Sequence, residues 1–116
     1  MDIAATVVYR LHMFELRQTP VFETWFLGLR KKHRAREAIA KRLVRLEAGN
    51  FGDTKALGGG VNELRIQHGP GYRLYYTVRR QSIILLLCGG TKGSQARDIR
   101  RAKALEKEMD DEDNTV

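Results

Sequence analysis

The sequence contains little that could cross-link, anchor or export the chain. Its 116 residues include one cysteine, Cys88, so no disulfide can form within one chain. The longest apolar stretch, SIILLLC at residues 82–88, is far shorter than the roughly 20 residues of a membrane-spanning helix. The first residues also lack the basic and then apolar layout of a secretory signal. These absences exclude a disulfide scaffold and argue against a membrane protein, so we expect a protein of the reducing cytoplasm.

Groups that hold metals or nucleotides are equally scarce. The three histidines, His12, His33 and His68, have no ligand spacing with one another or with Cys88, which lies in an apolar run typical of a buried thiol. The glycine-rich segment 51–60 is followed neither by the Gly-Lys-Ser/Thr of a phosphate-binding loop nor by a helical pattern. The sequence therefore predicts no metal site, no cofactor and no nucleotide-binding P-loop.

Carboxylates are sparse until the end of the chain. Residues 106–116 hold six acidic side chains and one lysine, whereas residues 1–105 hold 20 Lys and Arg against 8 Asp and Glu. The body is thus strongly basic, and we expect residues 110–116 to form a disordered acidic tail. A basic body attracts nucleic acid or an acidic protein partner, although such a surface can also serve solubility alone.

The first half of the chain has the pattern of one strand and two helices. Residues 8–18 are rich in strand formers, and segment 19–30 starts with Thr19 as an N-cap and Pro20 at the first helical position. Apolar residues recur at helical spacing in 19–30 and again in 33–50, which predicts a helical hairpin. The two apolar faces consist of Phe22, Trp25, Phe26 and Leu29, and of Ala35, Ile39, Leu43 and Leu46. The solvated tip of this hairpin carries Arg30, Lys31, Lys32, Arg34 and Arg36.

The second half predicts a small antiparallel sheet and a last helix. Residues 51–60 are expected to be a loop, and three strand-like runs follow at 61–67, 72–79 and 82–88, joined by short turns. The third run is apolar throughout, so we expect a central strand buried on both faces. The last helix is expected to be capped by Ser94 and to bury Ile99, Ala102, Leu105 and Met109. The sequence therefore predicts an α+β protein with one domain at residues 13–109. Residues 1–12 form an extension that is either flexible or lengthens the first strand, and either Met1 or Met13 is a candidate start.

The hairpin NELRIQHGPGYRLYY at residues 62–76 carries an arginine in the middle of each strand. Because strand side chains alternate, Arg65 and Arg73 are expected on one face. The opposite, core-facing side takes Leu64, Ile66, Leu74, Tyr76 and Val78. Lys92 follows the central strand and Lys55 lies in the neighbouring loop, so four cations are expected to converge on one sheet face. Glu63 is the only carboxylate on these strand faces that could offset them. Either they are ordinary exposed strand residues, or they bind a phosphate-bearing ligand through paired charge-assisted bonds.

Four segments of the chain resemble one family in a continuous order over about residues 13–109. They are FELRQTPVFETWFLGLR, AIAKRLVRLEAGNFGDTKALGGGVNELRI, GPGYRLYY and LLLCGGTKGSQARDIRRA. The combination of GNFGD, ELRI, GPGYR and LLCGG at this spacing resembles the RelE/ParE superfamily of toxins from type II toxin–antitoxin systems. Within it, the chain looks like the addiction-module killer, phage-derived Gp49-like (HigB-like) branch. The resemblance implies a RelE-like fold, in which an N-terminal strand and an αα-hairpin pack on a small antiparallel meander with a short C-terminal helix.

The resemblance implies a cytoplasmic mRNA interferase, an endoribonuclease that cuts mRNA on the ribosome without a metal. In such enzymes a ribose 2′-OH attacks the adjacent phosphate. The match assigns Arg73 and Lys92 to transition-state stabilisation and Arg65 to positioning of the RNA backbone. Further RNA contacts are expected from Lys55, Tyr75, Arg97 and His68.

One feature departs from the nuclease members that the chain resembles. They place a Tyr or His near the start of the last helix as acid or base, whereas SQARDIRR at residues 94–101 offers Arg97 and Asp98 instead. The general base is therefore unassigned, and two alternatives stay open. One is a ParE-like toxin that inhibits DNA gyrase by protein binding, and the other is a decayed toxin that only binds its antitoxin. In every case the resemblance implies a helix-turn-helix antitoxin as partner, so that DNA is contacted only indirectly.

Overall fold

The computed structural model of the protein describes residues 13–113. Its elements are β1 (Glu15–Gln18), α1 (Pro20–Leu27), α2 (His33–Glu47), β2 (Thr54–Gly58), β3 (Val61–Ile66), β4 (Tyr72–Arg79), β5 (Ile83–Thr91), a 3-10 turn (Lys92–Ser94) and α3 (Gln95–Asp113). The predicted α+β class is confirmed, and the architecture is compatible with a RelE-like fold. The expected extension at residues 1–12 lies outside the described residues. Across the described range, no helix combines the length and the apolar character that a membrane span requires.

The sheet has five strands, one more than the N-terminal strand and three-stranded meander that the sequence predicts. Its order is β1-β5-β4-β3-β2, with β1 parallel to β5 and the other neighbours antiparallel. The prediction that residues 51–60 form a loop is wrong, because Thr54–Gly58 pairs with β3. Gly58, Gly59 and Gly60 all have positive φ and make the turn between β2 and β3. These three glycines therefore form a tight turn at the end of β2.

The α1–α2 hairpin covers one face of the sheet. Phe22, Ile39 and Leu46 are almost completely buried there against the strand residues Leu64, Leu74 and Ile84. The predicted N-cap is confirmed, since the Thr19 hydroxyl accepts a hydrogen bond from the Phe22 N–H at 3.1 Å. The same hydroxyl donates to the Leu87 carbonyl at 2.6 Å, which ties the start of α1 to the central strand.

The α3 helix covers the other face and creates a second core. Val61, Tyr75, Leu85, Leu87, Cys88 and Ala102 are buried there, with Ile99, Leu105 and Met109 packed against them. The predicted inward face of the last helix and the doubly buried central strand are therefore confirmed. A β-bulge interrupts the β4–β5 ladder, where Tyr75 pairs with Cys88 but Tyr76 pairs with Leu86. Leu87 is the extra residue, so Leu87 and Cys88 both face α3. Val78 was expected in the core, but it lies near the end of β4 and stays exposed.

Two consecutive glycines let both layers approach β5 closely. A methyl group on Gly89 would lie 2.4 Å from the Trp25 ring in α1. A methyl group on Gly90 would lie 1.9 Å from Asp98 Oδ2 in α3, on the opposite face. The Cys-Gly-Gly sequence therefore permits dense packing on both sides of the strand next to the hairpin that carries the two arginines.

The last helix extends further than the sequence indicated. It runs to Asp113, so the prediction of a disordered tail from residue 110 is wrong for residues 110–113. Arg79 at the end of β4 explains this, because it donates to Glu106 at 3.0 Å and to Asp110 at 2.9 Å. These ion pairs hold the acidic end of α3 against the sheet.

Candidate functional site

The register of the β3–β4 hairpin brings the two arginines together. Arg65 and Arg73 are direct partners in this antiparallel ladder, so their side chains leave the sheet on the same face. Glu63 and Tyr75 are the next pair along this face and lie beneath the start of α3. Both arginines are half-buried, because α3 covers the Glu63 and Tyr75 pair but leaves the arginine pair partly open. The expectation that they share a face is confirmed.

The two lysines join the arginines from either side. Lys55 is the β2 partner of Glu63 in the ladder and is exposed on the same face. The Lys92 N–H donates to the Gly71 carbonyl at 2.7 Å. A methyl group on Gly71 would lie 3.6 Å from Lys92 Cβ and 3.7 Å from Arg73 Nη1, so these two cations flank one backbone position. The structure therefore places Arg65, Arg73 and Lys55 on one face of the sheet and brings the backbone of Lys92 next to the β3–β4 turn.

A buried carboxylate lies at the centre of this cationic face. Glu63 is fully buried, and its Oε1 accepts a hydrogen bond from Arg65 Nε at 3.0 Å. Its Oε2 accepts from the Gln95 side-chain amide at 2.7 Å, so the first residue of α3 also holds the carboxylate. Burial acts to raise the pKa of Glu63. Hydrogen bonds from Gln95 and Arg65, with the charges of Arg65 and Arg73, outweigh it and lower the pKa overall. Glu63 is therefore ionised at neutral pH.

The two guanidinium groups have different surroundings. Arg65 is anchored through Nε to Glu63, its side chain is 35% exposed, and this contact raises its pKa. Arg73 makes one long contact from Nη1 to the Tyr72 carbonyl at 3.4 Å, and its buried Nε finds no hydrogen-bond partner among the described residues. Buried polar groups are usually satisfied, and an unsatisfied one adds to the cost of the unliganded state. Arg73 therefore has donors to offer to an anion.

Tyr75, another expected RNA contact, does not lie on the open part of the face. Tyr75 was expected to face the ligand, but it is completely buried under α3, so this prediction is wrong. Burial raises the pKa of Tyr75, and the charges of Glu63 and Asp98 raise it further, so its hydroxyl stays protonated at neutral pH. The alternation along β4 correctly placed Tyr75 on the same face as Arg73, but α3 covers Tyr75.

His68 and Arg97 flank the site rather than line it. The His68 ring stacks on Tyr72 with 6.4 Å between ring centroids, and Tyr72 belongs to the core on the α1–α2 side. His68 lines an open hollow of about 510 Å³ with Lys32, His33 and Arg34. Arg97 is exposed in the first turn of α3 and lies 3.6 Å from Asp98. Within residues 13–111, no hydrogen bond or ion pair joins either residue to Arg65 or Arg73.

Sequence reasoning missed Gln95 and saw Glu63 only as a charge that could offset the cations. The one signal for Glu63 was a lone carboxylate in the middle of an otherwise apolar and basic strand. Gln95 gave no local signal, because its role depends on how α3 docks. Within the part of the chain that the structure describes, no three His, Cys, Asp or Glu side chains cluster closely enough to hold a metal ion.

Comparison with known proteins places the chain in a family. Residues 24–110 match the family described as Phage derived protein Gp49-like (DUF891). A Haemophilus influenzae protein, described only as an uncharacterized protein, is 42% identical over 95 residues, which cover 82% of this chain and 95% of that protein. The family match begins within α1 and spans α2, the β2–β5 strands and most of α3. The chain therefore belongs to the Gp49-like phage-derived protein family, a family of RelE- and HigB-like toxins.

Proposed function

We propose that this protein is the toxin of a type II toxin–antitoxin module and that it cleaves ribosome-bound mRNA without a metal. The family supports the toxin class, with an antitoxin as partner. The observation that carries the nuclease proposal is the pairing of Arg65 with Arg73 on an open sheet face, with Lys92 beside Arg73. Guanidinium groups bind phosphate through paired hydrogen bonds, and a cluster of cations matches a phosphodiester better than a neutral ligand.

The proposed reaction is an internal phosphoryl transfer. The ribose 2′-oxygen attacks phosphorus, the bond to the leaving 5′-oxygen breaks, and negative charge builds on the equatorial phosphate oxygens. Arg73 and Lys92 stabilise that charge by donating hydrogen bonds to the phosphate oxygens. Arg65 holds the RNA backbone, and Lys55 contacts a neighbouring phosphate at the sheet edge. The 2′-OH proton goes to a base and a proton returns to the leaving oxygen, steps to which no residue of this chain is assigned.

The partner proposals follow from the family and the charge of the body. A helix-turn-helix antitoxin neutralises the toxin, and the complex rather than the toxin alone contacts DNA. Residues 1–105 carry a net charge of +12, which favours an acidic antitoxin segment and the RNA of the ribosome alike. We place the protein in the cytoplasm, where translating ribosomes are found.

The direct test is induction in bacteria followed by mapping of mRNA 5′ ends. Wild-type protein is expected to arrest growth and to create new 5′ ends within translated transcripts. Arg73→Ala is expected to abolish both, because it removes the donor nearest Lys92. Arg45→Ala is the matched control, since Arg45 is an exposed arginine on α2, a helix that packs on the other side of the sheet. If Arg73→Ala stays as toxic as Arg45→Ala, the assigned site is wrong.

A second candidate function is inhibition of DNA gyrase by protein binding. The first turn of α3 carries Arg97 and Asp98 and no Tyr or His, which weakens the nuclease proposal and so favours this alternative. A gyrase inhibitor would block supercoiling by purified gyrase, induce the DNA damage response and leave mRNA intact. A decayed toxin would bind the antitoxin and cause no growth defect.

A further inference from the structure

Glu63 is a fully buried carboxylate beneath the partly open sheet face that carries the two arginines. Glu63 has no exposed side-chain area, whereas Arg65 beside it is 35% exposed. An ionised carboxylate is expensive to remove from water unless hydrogen bonds and opposite charges surround it. Here each carboxylate oxygen has one partner, Arg65 on one side and Gln95 on the other. The cost of burying Glu63 is therefore offset by the same groups that form the candidate site.

The contact between Arg65 and Glu63 leaves the terminal nitrogens of the Arg65 guanidinium group available for another acceptor. Glu63 accepts from Nε, the nitrogen nearest the backbone. Among residues 13–111, no hydrogen bond to Nη1 or Nη2 of Arg65 is found. A guanidinium that is fixed at Nε keeps its two terminal nitrogens for a second acceptor. Glu63 thus orients Arg65 without occupying the nitrogens that a phosphate would bind.

The carboxylate also offsets the repulsion between two like charges. Arg65 and Arg73 are directly opposite each other in the ladder, an arrangement in which like charges repel. Glu63 precedes Arg65 by two residues on the same face, and the charge of Arg73 acts on it as well. Loss of that negative charge would leave the repulsion between the two guanidinium groups less compensated.

We propose that Glu63 is a positioning residue, whose buried carboxylate, held by Gln95 of α3, fixes Arg65 and keeps the Arg65–Arg73 pair aligned toward a phosphodiester. This inference rests on the proposed nuclease function for its kinetic test, but its structural content does not. Glu63 does not contact the RNA; it acts through Arg65. Gln95 makes the docking of α3 part of the same arrangement.

The chain offers a matched control for a merely structural role. Glu106 is also a buried carboxylate on the α3 side, and it is ion-paired with an arginine, Arg79, at 3.0 Å. Arg79 lies at the other end of β4 from Arg73, so this pair is remote from the candidate site. Glu63→Gln and Glu106→Gln each remove one buried charge from one carboxylate–arginine pair and conserve side-chain size.

The kinetic experiment measures single-turnover cleavage of mRNA on programmed ribosomes at a range of ribosome concentrations. Glu63→Gln is expected to lower the maximal cleavage rate about tenfold, because a displaced guanidinium retains part of its effect. The half-saturating concentration is expected to change less than about twofold, since the surface loses no positive charge. Glu63→Asp, which keeps the charge on a shorter arm, is expected to recover part of the rate. Equal effects of Glu63→Gln and Glu106→Gln would show that only stability is involved and overturn the proposal.

A second readout does not depend on catalysis. The arginine Nε–Hε signal of Arg65, observed by ¹⁵N NMR of the free protein, is expected to be sharp and protected from exchange in wild type. It is expected to be broadened in Glu63→Gln and unchanged in Glu106→Gln. If wild type does not cleave mRNA but this pattern is found, the nuclease function fails and the positioning role stands. If the Arg65 signal is the same in Glu63→Gln as in wild type, the positioning role is refuted whatever the activity.

Discussion

Replacing Gly90 with alanine would test whether the first turn of α3 can pack on β5 only where β5 has no side chain. Gly90 is the β5 partner of Arg73, and a methyl group there would lie 1.9 Å from Asp98 Oδ2 and 2.7 Å from Ser94 Oγ. Asp98 is buried, and Ser94 donates a hydrogen bond to it, so neither atom is the free end of a flexible side chain. The first turn of α3 must therefore move away from the sheet to accept the methyl group.

The expected cost combines two terms. Inserting a methyl group into a packed site costs about 1–3 kcal/mol. Weakening the hydrogen bond between Ser94 and the Asp98 carboxylate costs about 1.5–3 kcal/mol more. We expect a total loss of about 2.5–6 kcal/mol in the free energy of unfolding. For a domain of this size that corresponds to a fall of about 10–24 °C in Tm.

The assay is thermal and urea unfolding of purified Gly90→Ala, followed by circular dichroism, with Gly93→Ala as the control. A methyl group on Gly93 would lie 3.7 Å from Thr91 Oγ1, which is ordinary contact, and Gly93 does not have a positive φ. The control is expected to unfold within about 0.5 kcal/mol of wild type. If Gly90→Ala is as stable as Gly93→Ala, the close approach of α3 to β5 does not contribute to stability and the reasoning fails.

Two further predictions concern stability at other positions. Thr19→Val keeps the shape of the side chain but removes both the cap to the Phe22 N–H and the bond to the Leu87 carbonyl, so urea unfolding should show a loss of about 2 kcal/mol. Because the folded-state pKa of Glu63 is lowered, its charge contributes stability that is present above its ordinary pKa of 4.5 and is lost as the pH falls through the lower folded value. The stability difference between wild type and Glu63→Gln should therefore be largest at neutral pH and shrink below pH 4.5, and a constant difference would contradict this linkage.

Much of the fold could be predicted because local pattern and burial agree. Thr19 and Pro20 mark the start of α1, and the apolar stripes of both hairpin helices face the sheet as their spacing indicated. The β2 strand was missed because its three glycines suggested a loop, while its pairing with β3 is a long-range contact that no local signal reveals. The parallel pairing of β1 with β5 was missed for the same reason.

The candidate site was partly predictable for a different reason. Alternation along β3 and β4 placed Arg65 and Arg73 on one face, and the register confirms it. Alternation says nothing about what covers that face, so it could not show that α3 buries Tyr75 and Glu63 but leaves the arginine pair half-open. The depth of each side chain depends on where the helix begins to cross the sheet. That starting point is set by Gly90 and Gln95.

The β-bulge at Leu87 is a place where the length of β5 can change by one residue. Side chains before it and after it keep their present faces if Leu87 is removed, since regular alternation then runs directly from Leu86 to Cys88. Such a deletion would cost one apolar side chain under α3 and the carbonyl that Thr19 binds. Deletion of Cys88, the other bulge residue, would restore the alternation equally, whereas deletion of Gly89 would turn Gly90 from Asp98 toward Trp25. Homologous chains that are one residue shorter at this point should therefore retain the same sheet, and a gap there in an alignment would indicate a regularised strand.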